Sequence, residues 1–575
     1  MSNRKLTRYA SIDRPWLKYY SKETISAPLP DYTMYEYIYN QNKNNLDHIA
    51  MNYYGANTTY GEMFDKIANM AGTLEAEGIQ EGEVVTVCMI NAPETVCLLF
   101  ALNKIGAVAN MVYGASTPEE LQKYIADAES AYVFTVDMFQ DKFVAIADRT
   151  NLKKIIVTNL TESMSLLNRT GARLLKGMKP RPLPHDHRFC SWKDFFKKVQ
   201  RASRTAHDAN APAVITYTGG TTGGSKGAIL SSKAVNAVAQ QYIKSEQNLH
   251  RESTWMQVLP LFIAYGITSS IMVALAAGMK QIIRIPMTDT IAEFCKKFKP
   301  NHVLYGPAYW EKFADDNENL DLSNFIAPTS GGDALRPAVE EKINRYLQSH
   351  GCAYPILNGY GMTEVGAGVS LNFPHAYKKG SVGIPFAKNI IASFDIETGE
   401  ELQYGQEGEL CIQTPSMMLG YVKNQEETDN IIRLHKDGTR WVHSGDLGYV
   451  DEDGFVYISG RLKRYLLYIK DGVQKKIFSL DIERVLLQHP YIDNCAVIPI
   501  PDENVYQAPV AYVILNDEYR SRPNIETDLN EYAIKHLTDG CRPTRYFFVD
   551  KFPLTKIGKV DYRALEQEIA KPQII

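Results

Sequence analysis

Short apolar runs of strand length alternate along this chain with segments whose apolar residues recur at helical spacing. Val84 to Ile90 (VVTVCMI) reads as a strand because it is nearly continuous and rich in β-branched residues, and Glu94 to Val108 reads as the helix after it, with Val96, Leu99 and Leu102 near one face. Tyr132 to Val136, Ile155 to Thr158, Val214 to Thr218, Gln281 to Ile285 and Val303 to Tyr305 are further short strands without polar alternation. Such strands are expected where helices cover both faces of a sheet, so the pattern predicts a large α/β body. From Asp481 the order changes. A helix with Ile482, Val485 and Leu486 on one face leads to strands over Cys495 to Ile500 and Val510 to Leu515, a helix near Asn530 to Leu537 and a strand over Tyr546 to Val549. This predicts a compact α+β tail. The expected division is residues 1–460 and 461–575, with the boundary near Arg461 to Arg464 and no repeat of solenoid period.

Two segments stand apart from the alternation. Trp255 to Met279 carries no charge and is long enough to cross a bilayer, but Pro260, Gly266, Thr268, Ser269 and Ser270 interrupt it, which favours a buried strand followed by a buried helix. Ser165 to Pro184 (SLLNRTGARLLKGMKPRPLP) sets Arg169, Arg173, Lys176, Lys179 and Arg181 among leucines. It reads either as a solvated helical turn and loop or as a segment lying on an anionic membrane surface.

Composition narrows the function classes. The chain has 575 residues, 45% hydrophobic and 22% charged, ordinary globular usage. Its 62 Lys+Arg against 66 Asp+Glu leave no global basic field, so no nucleic-acid partner is expected and any polyanion must be gripped locally. The eight cysteines are scattered, with no C-x-x-C pair and no His/Cys spacing that builds a zinc site, and a cytoplasmic location is expected. The start, MSNRKLTRYASIDRPW, lacks the apolar core of a signal peptide, and the end, AKPQII, matches no retention tail. The run His185 to His187 (HDH) reads as a polar loop rather than a metal site, and no G-x-S-x-G elbow supports a hydrolase.

The most informative stretch is Val214 to Leu230, VITYTGGTTGGSKGAIL. A strand runs into five glycines and three threonines around Lys226, with a helix expected from Ser231. Glycines let the backbone bring its N–H groups close to an anion, and Lys226 adds charge. Ser225 before the lysine excludes a Walker A loop, and the spacing does not fit a dinucleotide G-x-G-x-x-G. TYTGGTTGGSKG resembles the YTSGTTGxPKG signature of the adenylate-forming superfamily. Four further motifs follow in that family's order: NGYGMTE (Asn358 to Glu364), GELCIQTPSMMLGYVKN (Gly408 to Asn424), WVHSGDLGYVDEDGFVYISGRLK (Trp441 to Lys463) and PLTKIGKVDYRAL (Pro553 to Leu565). Asn52 to Gly61 and Asp65 to Glu83 resemble its opening region, so the likeness spans nearly the whole chain.

The resemblance implies an α/β fold with a large multi-sheet N-terminal domain and a smaller, mobile α+β C-terminal domain, and an acyl-CoA synthetase-like activity that needs ATP, Mg²⁺ and coenzyme A. It implies that Lys226 and the loop Thr218, Gly219, Gly220, Thr221, Thr222 and Gly223 hold phosphates, that Thr363 touches the α-phosphate and that Glu364 helps to bind Mg²⁺. Asn358, Gly359, Tyr360 and Gly361 would line the adenine pocket, Asp446 the ribose, and Arg461 the ribose or phosphate. Lys559 would bridge carboxylate and α-phosphate during adenylation. Ile263, Tyr265, Gly266, Tyr305, Gly331, Gly332 and Met362 match acyl-pocket segments, and Arg464 and Gly472 the hinge and coenzyme A side.

Several positions depart from the pattern. Gly219 stands for a serine, Ser225 for a proline, Ile263 for a frequent histidine, Arg464 for a frequent aspartate and Ser479 for a frequent proline, and the stretch after Arg464 is longer by about four residues. No acidic residue in PLFIAYG meets an α-ammonium, so a fatty or aromatic acid is expected rather than an amino acid. Only about ten residues follow the last motif, too few for a fused carrier domain. The acceptor thiol is then coenzyme A or the arm of a separate carrier protein. A degenerate member that binds acyl ligand or nucleotide without turnover is the alternative of another class.

Overall fold

The computed structural model describes residues 6–175, 178–197, 202, 205–218, 225–245, 249–285, 291–315, 319–462, 464–470, 473–554 and 560–570. Among these residues the strands form four sheets. One eight-stranded sheet holds the parallel strands Val84–Cys88, Val108–Met111, Tyr132–Val136, Lys154–Thr158 and Pro212–Tyr217. A nine-stranded sheet holds the parallel strands Thr254–Gln257, Lys280–Ile283, His302–Tyr305, Ala327–Ser330 and Leu357–Met362. Every residue of the helix Pro93–Lys104 is buried, and its central run Val96 to Leu102 is wholly apolar. A third, antiparallel sheet includes Gly408–Gln413, Ile432–Leu434, Arg440–Val450 and Val456–Arg461. The tail builds the fourth from Tyr465–Lys470, Val473–Phe478, Ile492–Asp502, Tyr506–Leu515 and Arg545–Phe548, over its own core of Leu466, Ile482, Leu486, Val497, Val513 and Leu529.

Most expected elements stand where the pattern put them, with two corrections. The helix expected over Glu94 to Val108 ends at Lys104. Gly106 turns the chain at φ +79°, and Val108 already belongs to the next strand, paired with Val84. The helix expected directly after the glycine-rich loop is preceded by a strand, Gly227–Ser231, which returns antiparallel to Pro212–Tyr217, and the helix proper is Ser232–Lys244. The uncharged run folds as a strand, Thr254–Gln257, and a buried helix from Ala264 to Ala276 that widens into a π-helical stretch over Ile267–Met272. Trp255, Thr268 and Ser270 are paired, whereas Ser269 Oγ is buried without a hydrogen-bond partner among the described residues. Thr268 Oγ1 donates to the carbonyls of Ala264 and Gly366, Trp255 Nε1 donates to Ser270 Oγ at 2.9 Å, and Ser270 Oγ donates to Gln257 Oε1 at 2.5 Å. Among the described residues, no helix is long and apolar enough to cross a membrane.

Within Ser165 to Pro184 the chain forms the helix Leu166–Leu175. Its arginines turn inward: Arg169 donates to the carbonyls of Glu162 and Met164, and Arg173 Nε donates to Thr161 Oγ1 at 3.0 Å. Beyond the helix, Arg181 pairs with Asp141 at 2.8 Å. Leu166, Leu167 and Leu174 face out, 77%, 84% and 73% exposed.

Candidate active site

The glycine-rich loop closes a hairpin, and its two ends are pinned together. Thr218 N–H donates to Lys226 O at 2.9 Å, Lys226 N–H donates to Thr218 Oγ1 at 3.2 Å, and Ser225 Oγ donates to Thr218 O at 2.6 Å. The loop tip, Gly219, Gly220, Thr221, Thr222 and Gly223, lies outside the described residues, as do Gly472 and Lys559. Lys226 Nζ pairs with Glu427 and lies 5.0 Å from the ring centre of Tyr421. Tyr421 reaches it because Gly420–Tyr421 adds to the free edge of Gly227–Ser231, with Tyr421 opposite Ala228. The Tyr421 hydroxyl donates to Glu364 Oε1 at 2.6 Å. Burial, with Glu364 beside it, pushes the Tyr421 phenol up, so it stays a donor. Lys226 and Glu364, far apart in sequence, thus meet through Tyr421.

Local sequence pattern does not mark Tyr421 or Glu427 as site residues. Tyr421 sits inside the motif Gly408 to Asn424. Glu427 lies just beyond it, in the first turn of the helix Gln425–Ile431, where Glu427 N–H donates to the capping Asn424 Oδ1 at 3.1 Å.

The strand Leu357–Met362 carries the second half of the site. The Tyr360 hydroxyl donates to Asp446 Oδ2 at 2.6 Å, and Arg461 Nε lies 2.8 Å from Asp446 Oδ1. Asp446 and Arg461 are register partners across an antiparallel pair, so strand pairing itself sets the ion pair. Burial first, and the Asp446 carboxylate second, raise the Tyr360 phenol well above its ordinary value and keep it protonated. Asn358 Oδ1 on the same strand and Ser330 Oγ on its neighbour are buried and have no hydrogen-bond partner among the described residues. Two glycines of this strand answer to packing: a Cβ at Gly361 would lie 1.6 Å from Ala367 O, and one at Gly359 would lie 2.9 Å from Leu371 Cδ1. Thr363 and Glu364 follow in a short turn, Thr363–Val365. Met418 N–H donates to Glu364 O at 2.8 Å and Ser416 Oγ donates to Val365 O at 2.7 Å, which fixes it.

The remaining residues gather near the carboxyl ends of the parallel strands His302–Tyr305, Ala327–Ser330 and Leu357–Met362, the end at which open α/β sheets place ligands. Tyr265 lies against the Gly331 backbone, where a Cβ would come within 3.1 Å of its hydroxyl, and Gly332 is close by. Gly331 N–H donates to Tyr305 O at 3.2 Å, and the Tyr305 and Tyr309 rings lie 4.1 Å apart. Gly266 is demanded by Pro260 O, 2.0 Å from where its Cβ would be, and Ile263 immediately precedes the helix that begins at Ala264. Met362 ends the Tyr360 strand. Arg464 belongs to the tail. It pairs with the buried Glu483 and lies 3.7 Å from the ring centre of Tyr562.

Both the sequence and the fold match known proteins. The model for the AMP-binding enzyme family matches residues 38–422, and that for the AMP-binding enzyme C-terminal domain matches residues 481–559. A long-chain-fatty-acid–CoA ligase of Bacillus subtilis (strain 168) is 26% identical, covering 96% of this chain and 98% of that protein. The 4-coumarate–CoA ligase CCL1 of Humulus lupulus is 27% identical, covering 90% of each. Among solved structures, the anthranilate CoA ligase AuaEII in complex with anthranoyl-AMP shares the fold, with a TM-score of 0.78 at 20% identity over 94% of this chain and 98% of that one.

Proposed function

The chain belongs to the AMP-binding enzyme family, and from that premise we propose that it is an ATP-dependent acid–thiol ligase. It joins a carboxylic acid to AMP with release of pyrophosphate and then passes the acyl group to coenzyme A. The observation that carries this reading is that one short segment, Tyr360 to Glu364, holds the Tyr360–Asp446–Arg461 group at one end and the Glu364–Tyr421–Lys226 group at the other. That pairing suits a nucleotide: a carboxylate for ribose hydroxyls at one end, a cation and hydroxyls for phosphates at the other. Asn358 Oδ1, which has no partner among the described residues, adds a buried acceptor for a base amino group.

Adenylation brings two anions together, so positive charge must gather about the phosphates. Lys226 and the loop from Thr218 to Gly223 take the β- and γ-phosphates, Thr363 the α-phosphate, and Arg461 a ribose or phosphate oxygen. Mg²⁺ would be held through Glu364 and would neutralise phosphate charge. Lys559 reaches the reacting carboxylate and α-phosphate when the tail closes, and the boundary near Arg461 to Arg464 is where it swings. Ile263, Tyr265, Tyr305 and Met362 bring no carboxylate to meet an ammonium, which supports a fatty or aromatic acid rather than an amino acid. The reading places the protein in the cytoplasm and extends to peripheral contact with a lipid surface through Leu166, Leu167 and Leu174.

The test is acid-dependent exchange of labelled pyrophosphate into ATP over acids from acetate to long-chain and aromatic. Exchange with one acid class, reduced about 100-fold or more in Lys559→Ala, is the expected result. A folded protein that exchanges with no acid, or a variant that exchanges as well as the parent, overturns it.

A further inference from the structure

The third sheet brings together three side chains that the sequence keeps apart. Cys411 on Gly408–Gln413 and His443 on Arg440–Val450 are register partners. His435 follows the strand Ile432–Leu434 and opens the turn back to Arg440, its N–H donating to Thr439 O at 2.9 Å. Among the described residues this is the one group of three His, Cys, Asp or Glu side chains whose ligand atoms lie together, all within 4.8 Å of one another. The Nε2 atoms of His435 and His443 are 3.0 Å apart. Two imidazoles that share a tetrahedral zinc at about 2.0–2.1 Å have their nitrogens about 3.3 Å apart, so a small opening of the pair admits the ion.

The surroundings complete the chemistry. Glu409 Oε2 lies 2.7 Å from His443 Nδ1, so Nδ1 carries the proton and Nε2 is left as a lone pair facing His435. Cys411 Sγ, fully buried, lies 3.5 Å from His443 Nδ1. Phe394 and Trp441 flank His435, with ring centres 4.8 Å and 5.6 Å away.

We propose that Cys411, His435 and His443 bind one divalent cation of the zinc class, with Glu409 orienting His443 from behind. Thiolate with two imidazoles selects a borderline-soft ion over Mg²⁺ or Ca²⁺. Binding replaces the Cys411 S–H bond by a sulfur–metal bond, releases that proton to solvent and leaves the fourth position to water. Glu409 Oε1 also accepts the Gly445 N–H at 3.1 Å, so the ion braces the turn that leads into Asp446.

The test uses the untagged full chain, stripped with a chelator, then loaded with Zn²⁺ or Co²⁺ and dialysed. The expected result is one zinc per chain by elemental analysis, with affinity lowered at least ~10–100-fold in Cys411→Ser and in His435→Gln. Zn²⁺ should raise the Tm of the parent and leave that of His435→Gln unmoved. The Co²⁺ form of the parent should show a thiolate-to-metal charge-transfer band in the near ultraviolet that Cys411→Ser loses. Folded parent that retains no zinc overturns the proposal, as does retention that both variants share, which would place the ion elsewhere, for example at the His185 to His187 run. Should a variant fail to fold, the Co²⁺ spectrum of the parent decides alone: no sulfur band, no such site.

Discussion

Lys226 shows how a side chain can be held ready by a partner it must leave. Its ammonium pairs with Glu427 and rests over Tyr421, yet the proposed role requires it to face phosphate. Both members of the pair are partly exposed, so the pair is worth about 1 kcal/mol or less, and ATP must outbid that before it gains the lysine. Glu427→Gln should therefore lower the KM for ATP by up to ~5-fold with kcat little changed, read from ATP titrations at saturating acid. A KM that rises would show that Glu427 positions the lysine instead of competing for it. Asp446 obeys the same logic, since Tyr360 and Arg461 already occupy its two oxygens. Residue types were legible at this scale because the chemistry repeats in short motifs. Partners were not: Tyr421 owes its place to an edge strand of two residues that no pattern announces, and Glu427 to the helix that follows it.

At the scale of elements, Arg464 belongs to the fold of the tail. Its guanidinium lies between Glu483 and Tyr562, and the Glu483 side chain is only 4% exposed. Removing one partner of such a pair leaves an uncompensated buried charge, a loss of about 3–5 kcal/mol. Arg464→Met should lower the stability of the tail in urea by that order, and Arg464→Met combined with Glu483→Gln should restore most of it. Burial raises the Glu483 carboxyl above its ordinary value, so the penalty in the single variant is relieved as pH falls and the group takes up a proton. A penalty that grows on acidification would mean that another group titrates. The helix Leu166–Leu175 makes a second case. Its arginines are spent on carbonyls and a hydroxyl of their own chain, so any lipid contact rests on apolar insertion. Flotation with anionic vesicles should then persist at high salt and be lost when Leu166, Leu167 and Leu174 are all changed to Ser. Binding that salt removes would return the role to the charges.

At the scale of the molecule, the α/β body was legible because strands covered on both faces write themselves as continuous apolar runs, and the tail because its helices and strands keep clean periods. The strand Gly227–Ser231, the hairpin of Tyr465–Lys470 with Val473–Phe478 and the Cys411–His435–His443 group were not, since each is defined by a partner across a sheet rather than by local spacing. The contact between body and tail is of the same kind. Arg336, just before the helix Pro337–Ser349 of the body, donates from Nη1 to Asp493 O of the tail at 2.7 Å, and Leu480 of the tail covers Gly460. If one tail position serves adenylation and another serves thiol transfer, a contact made in only one of them biases the two steps in opposite directions. A hydrogen bond from a charged donor is worth about 1.5–3 kcal/mol, enough to move such a balance roughly 10-fold or more. Arg336→Ala should therefore raise one half-reaction and lower the other, with pyrophosphate exchange measuring the first and thioester formation from preformed acyl-adenylate the second. Equal losses in both would mark Arg336 as a support of the fold, and no change in either would mean that this contact does not hold the tail during turnover.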